Sequence, residues 1–129
     1  MEGRKVYRIA CIGAGSISRE FSLRYLNSSP YLEVCAVVDL DITAAQSLAL
    51  DVAYRRAGAT VMGEKYRETV DKDSISDDAK LSLPAVVAAT SIDEILSTID
   101  CVHIGTPPLS WRIVMQLFRL LTKLTAQTV

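Results

Sequence analysis

The chain has 129 residues, a net charge of −1, 50% hydrophobic residues and 22% charged residues. That length suits one domain, able to bury a core without disulfides or metals. The charge balance excludes the basic footprint of a nucleic-acid or anionic-membrane binder, and no apolar run reaches the ~20 residues of a membrane helix.

Arg8 interrupts the first apolar stretch, which is too short for a secretory signal. The three cysteines, Cys11, Cys35 and Cys101, are odd in number and widely spaced, so no disulfide framework is expected. Each lies in a β-like run and reads as a buried free thiol in a reducing, cytoplasmic compartment. His103 is the only histidine, and no ligand cluster for zinc accompanies it. Flanked by Val102 and Ile104, it reads as packed in a sheet rather than catalytic.

The first predicted strand covers Val6–Ile12 and ends at Gly13. A helix follows from Ser16 to about Asn27, with Ile17, Phe21 and Tyr25 four apart on one expected core face. Asn27 to Pro30 stop it. Leu32–Val38 is a continuous apolar run, as in a strand covered on both faces. Asp41 should cap a second helix over Ile42–Arg56. There Ala45, Leu48 and Val52 share a face, Arg55 and Arg56 suit the C-terminal dipole, and Gly58 stops the helix.

Residues 60–84 break the rhythm. The charge density from Glu64 to Lys80 argues against a core element and reads as a solvated insertion. Regular structure resumes with a third strand, Ala85–Ala89. Thr90 or Ser91 then caps a short helix over Ile92–Ser97, with Glu94 placed as in a capping box. A fourth strand, Cys101–Gly105, leads into the sharp turn Thr106-Pro107-Pro108. Apolar residues from Trp111 to Leu124 are spaced for a divergent C-terminal helix, beginning at about 109. Thr125–Val129 could form a stub of a fifth strand. This β-α alternation predicts an α/β fold, a doubly wound parallel sheet of Rossmann type with strand order 3-2-1-4.

Gly13-Ala14-Gly15-Ser16-Ile17-Ser18 joins the first strand to the first helix. In that position Gly13 can make the tight turn. Gly15, without a Cβ, lets backbone approach a pyrophosphate that sits on the helix N-terminus. Ser18 stands where a third glycine or alanine is usual and is small enough for close packing. Asp39 ends the second strand, 24 residues beyond Gly15, where an acid can accept hydrogen bonds from ribose hydroxyls. With no Arg or Lys beside it to hold a 2′-phosphate, NAD is favoured over NADP. The alternatives are a tight turn without ligand, an Asp39 that only caps the next turn, and a domain like S-adenosylmethionine-dependent methyltransferases. The last usually carry an acid just before the first glycine, where Cys11 and Ile12 stand here.

Three segments, Arg8–Ser18, Ala36–Asp39 and Ile99–Pro108, together resemble the N-terminal half of the Gfo/Idh/MocA oxidoreductases. The resemblance spans about residues 6–108 apart from the insertion. It implies NAD(P) binding and hydride exchange with sugars, polyols or related alcohols. It places Thr106, Pro107 and Pro108 on the nicotinamide side of the cleft. Trp111 stands where the family has a histidine, and the family's Glu-Lys-Pro segment and substrate domain have no counterpart among these residues.

No catalytic residue is assigned, and the expectation is an incomplete, truncated Rossmann unit that is not catalytic alone. The cofactor-binding residues are Gly13, Ala14, Gly15, Ser16, Ile17, Asp39, Thr106, Pro107 and Pro108. A substrate-domain chain or a second copy would complete such a unit. A catalytically dead nucleotide-binding module and a nonfunctional, shortened product remain as alternatives.

Overall fold

The computed structural model describes residues 5–105 and Arg119. Four parallel strands form one sheet, β1 (Tyr7–Ile12), β2 (Leu32–Val38), β5 (Val87–Ala89) and β6 (Cys101–Ile104), in the order β5-β2-β1-β6. This is the α/β arrangement and the 3-2-1-4 order expected. A separate antiparallel pair joins β3 (Thr60–Met62) to β4 (Thr69–Asp71). Thr106, Pro107, Pro108, the strand stub over 125–129 and, apart from Arg119, the helix from about 109 lie outside the described residues.

The central strands are buried along most of their length because both faces are covered. On one face Ile9, Cys11, Val34 and Val37 pack with Leu23, Leu48, Val52 and Val70. On the other, Ala10, Ile12, Cys35 and Val38 pack with Ile92 and Ile95. The β1–β2 register holds one irregularity. Ile9 faces Val34 but Ala10 faces Ala36, so Cys35 is an extra residue in β2.

The helix α2 spans Ile42–Arg56 as expected. The Asp41 carboxylate accepts from the Thr43 and Ala44 N–H groups, and Ala45, Leu48 and Val52 form its buried face.

The first helix departs from expectation. It starts as α1 (Ser16–Glu20), widens into a π turn over Phe21–Tyr25 and tightens over Leu26–Ser28. Its expected core face is exposed, with Ile17 at 50%, Phe21 at 37% and Tyr25 at 55%. Ser18, Ser22 and Leu23 are buried instead. The buried face thus combines one large side chain, Leu23, with two serines, whose small size allows close packing.

The stretch over residues 60–84 is polar and mostly exposed or half-buried, and it is also folded. It holds the β3–β4 hairpin and the short helix α3 (Asp77–Leu81), and it sends Glu68 and Val70 into the interior. Two arginines of the first helix hold the hairpin. Arg24 Nε donates to Glu68 Oε2 at 3.0 Å and its Nη2 to the Gly63 carbonyl at 3.2 Å. Arg19 Nη1 donates to Asp51 Oδ2 at 2.7 Å and to the Glu68 carbonyl at 3.1 Å. Charge pairing of this kind lets a polar segment contribute to a core.

The third strand is shorter than expected, Val87–Ala89, and the fourth ends at Ile104. The helix expected over Ile92–Ser97 is two tight 3₁₀ turns, Ile92–Glu94 and Leu96–Thr98. Ser91 caps the first by accepting from the Asp93 N–H.

Candidate functional site

The carboxyl ends of β1, β2 and β6 gather the expected residues at the end of the sheet where open α/β folds bind ligands. Gly13 has φ +96°, a conformation that favours glycine. Its N–H donates to the Val38 carbonyl at 2.7 Å, which ties the turn to the end of β2.

Asp39 then bridges the two strands' ends. Its Oδ2 accepts from the Ala14 N–H at 2.8 Å, and its Oδ1 accepts from the Asp41 N–H at 2.8 Å. Each carboxylate oxygen thus accepts one recorded bond and keeps lone-pair capacity for another donor. Asp39 is half-buried, so that capacity faces a partly open space. The turn-capping role weighed for Asp39 is real, and it aims the carboxylate rather than exhausting it.

Gly15 differs from Gly13. It is the N-cap of α1 in an extended conformation, φ −86° and ψ −167°, that any residue can adopt. A Cβ built there would meet nothing within 4 Å. Neither backbone geometry nor packing among the described residues calls for glycine at this position. No side chain caps the first turn, whose N–H groups lack intrahelical acceptors. Ser16 and Ile17 are exposed beside them. Open space over uncapped N–H groups, with a carboxylate held alongside, fits a pyrophosphate with its ribose. The residues present therefore fit a dinucleotide.

Gly105, just beyond β6, was not singled out from the sequence. Its N–H donates to the Ile12 carbonyl at 2.9 Å. A Cβ there would collide with the Ser18 hydroxyl and come within 3.3 Å of His103 Cε1. The smallness expected of Ser18 is thus used against Gly105. The signal was legible only as a pair, a small residue in the first helix turn and a glycine ending the fourth strand.

His103 lies on β6 opposite Cys11, as expected of a sheet residue. Its ring stacks on Phe21 with centroids 4.6 Å apart. Ser18 Oγ and His103 Nδ1 are buried without a hydrogen-bond partner among the described residues. Burial holds the His103 pKa below its ordinary value and pushes the Cys11 thiol up to about 12. Cys35 and Cys101 are raised for the same first reason. All three cysteines are free, and raised thiols of this kind are poor nucleophiles. Among the described residues no His, Cys, Asp and Glu group could hold a metal ion, and no helix is long and apolar enough to cross a membrane.

No family model matches the chain, and no curated protein does. Among solved structures it is similar to a myo-inositol dehydrogenase from Corynebacterium glutamicum, with 24% sequence identity and a TM-score of 0.46. The similarity covers 79% of this chain and 21% of that one, so the chain spans about a fifth of the dehydrogenase's length.

Proposed function

We propose that this chain is the dinucleotide-binding unit of an oxidoreductase, with NAD preferred over NADP. The observation that carries the reading is Gly15, whose missing Cβ serves no contact among the described residues and leaves space open next to Ala14, the residue held by Asp39. Asp39 supports the preference, because its carboxylate would accept from ribose hydroxyls and repel a 2′-phosphate. The substrate class, sugars, polyols or related alcohols, rests on the motif resemblance alone.

When bound, a nicotinamide ring supplies the hydride acceptor or donor. The described residues would hold the pyrophosphate and a ribose of such a cofactor. The uncapped first turn of α1 receives the pyrophosphate, Asp39 fixes the ribose, and Gly105 lets β6 approach the helix. No proton donor is assigned among them, so hydride transfer needs groups from elsewhere, such as a substrate-domain chain or a second copy.

Titration calorimetry with NAD, NADP and S-adenosylmethionine tests the proposal on the full chain and on Gly15→Val. NAD should bind the native chain more tightly than NADP. Saturation at a hundredfold excess over Kd should then stabilise the fold by about 2.7 kcal/mol. Gly15→Val should lose that binding yet stay folded, with a modest fall in melting temperature because valine is a poorer N-cap than glycine. Binding of S-adenosylmethionine alone would transfer the site to the methyltransferase reading, and binding of none of the three would sink the dinucleotide reading.

A further inference from the structure

Two buried polar atoms without partners among the described residues, Ser18 Oγ and His103 Nδ1, lie at the same glycine behind the phosphate-facing turn. Buried groups of this kind are rare in folded proteins and ask for an explanation. They sit at the contact between the first helix and β6. That contact consists of Phe21 on the imidazole ring, Ser18 against Gly105, and Gly105 against the His103 edge.

Among the described residues the surroundings of the ring hold no compensating charge. From the helix it meets Phe21 and the turn that carries Ser18. The charged residues of that turn are engaged elsewhere, Arg19 with Asp51 and Ser47 and Glu20 near the Tyr25 hydroxyl. From β1 its register partner is Cys11, a thiol that burial keeps protonated. From its own strand the nearest titratable group is Cys101, also raised. An imidazolium formed here would have no carboxylate to meet and would be partly desolvated.

We propose that His103 makes the seating of the first helix on β6 proton-dependent: the neutral ring holds the helix down, and the imidazolium releases it together with the glycine turn. Burial alone lowers the His103 pKa from the ordinary 6.5. The seated state therefore binds the proton more weakly than the unseated one. Seating is complete above about 6.5, weakens as pH falls toward the lowered value of the seated ring, and levels off beneath it. If the turn receives a dinucleotide, a consequence that rests on the reading above, binding should weaken over the same window.

Hydrogen exchange on the ligand-free chain, at about pH 7.5 and about pH 5.5 and corrected for intrinsic rates, tests the seating directly. Protection of residues 16–25 should fall severalfold at the lower pH while that of α2 holds. His103→Phe keeps a ring without a titratable group, and His103→Gln serves if that variant does not fold. Either should show no such pH response. Equal protection of residues 16–25 at both pH values, or a variant that responds like the native chain, overturns the proposal. Calorimetry with NAD adds a second arm. Weaker binding at low pH in the native chain alone supports the link to the turn, and equal binding at both pH values overturns that link. No NAD binding at either pH, with the exchange response intact, defeats the dinucleotide reading and leaves the seating standing.

Discussion

The first helix borders two polar regions that treat their hydrogen-bonding groups in opposite ways. Toward the hairpin, Arg19 and Arg24 close on Asp51, Glu68, Ser47 and the Gly63 carbonyl, and four of those contacts lie between 2.7 and 3.2 Å. Toward the strand ends, the helix offers uncapped N–H groups, a glycine over open space and a carboxylate with spare acceptor capacity. The first region is paired from within the chain, apart from one buried oxygen of Glu68, and acts as a clamp. The second is held in position but left unfinished, as expected of a surface that completes itself on a ligand. Polarity alone does not mark a functional site. What marks it here is the gap between how well the groups are held and how little they are used.

Mutations can break that division or sharpen it. The largest expected effect is at the clamp. Glu68 is buried, and only one of its oxygens has a partner. Arg24→Ala should cost about 2–3 kcal/mol, below the usual range for a broken buried pair because Arg24 is 39% exposed. Urea unfolding measures the loss. Dinucleotide affinity should not change, and a parallel fall in both would erase the distinction between the regions.

Next comes the contact between the helix and β6. Gly105→Ala drives a methyl group into Ser18 Oγ and should cost about 1–3 kcal/mol by overpacking. Adding Ser18→Ala removes the colliding oxygen and should recover most of the loss. A double-mutant cycle with no coupling between the two positions would show that they do not meet.

The neighbouring acids give a sharper contrast. Asp41→Ala removes the cap of α2 and should cost about 1 kcal/mol in stability with no effect on ligand affinity. Asp39→Ala, two residues away, should also cost about 1 kcal/mol by orphaning the Ala14 and Asp41 N–H groups. It alone should lower NAD affinity, which calorimetry on both variants would show.

The smallest effect concerns the thiols. In the folded protein at mildly alkaline pH, half-buried Cys101 should alkylate before Cys11, whose pKa burial pushes to about 12. Mass spectrometry of peptides from a timed reaction reads the order, and early labelling of Cys11 would mean that the central sheet opens.

Much of the fold was legible in the residues. Asp41, the face through Ala45, Leu48 and Val52, and the run Leu32–Val38 stand where their patterns put them. Local signals decide such elements. The first helix shows where pattern fails. Ile17, Phe21 and Tyr25 are left exposed to differing degrees while Ser18, Ser22 and Leu23 are buried, and that choice of face depends on another part of the chain. Glu68 is similar. A charge run looks solvated until the arginine that pairs with Glu68 is known. At the candidate site, Gly13 and Asp39 were readable from position and spacing. Gly105 was not, because its need for smallness depends on Ser18, 87 residues earlier.

The extra residue in β2 carries a last consequence. Before Cys35 the strands pair as Ile9 with Val34, and after it as Ile12 with Val38. At the bulge Cys35 and Ala36 both face the Ile92 side of the sheet, and beyond it the alternation of β2 runs in step with that of β1. Deleting Cys35 alone would leave Ala10 opposite Ala36 and Ile12 opposite Val38, with Asp39 still level with the Ala14 N–H. The bulge is therefore slack in the strand. The sheet fixes where the acid finishes, and the count of residues between the glycine turn and the acid can fall by one at Cys35 without moving it.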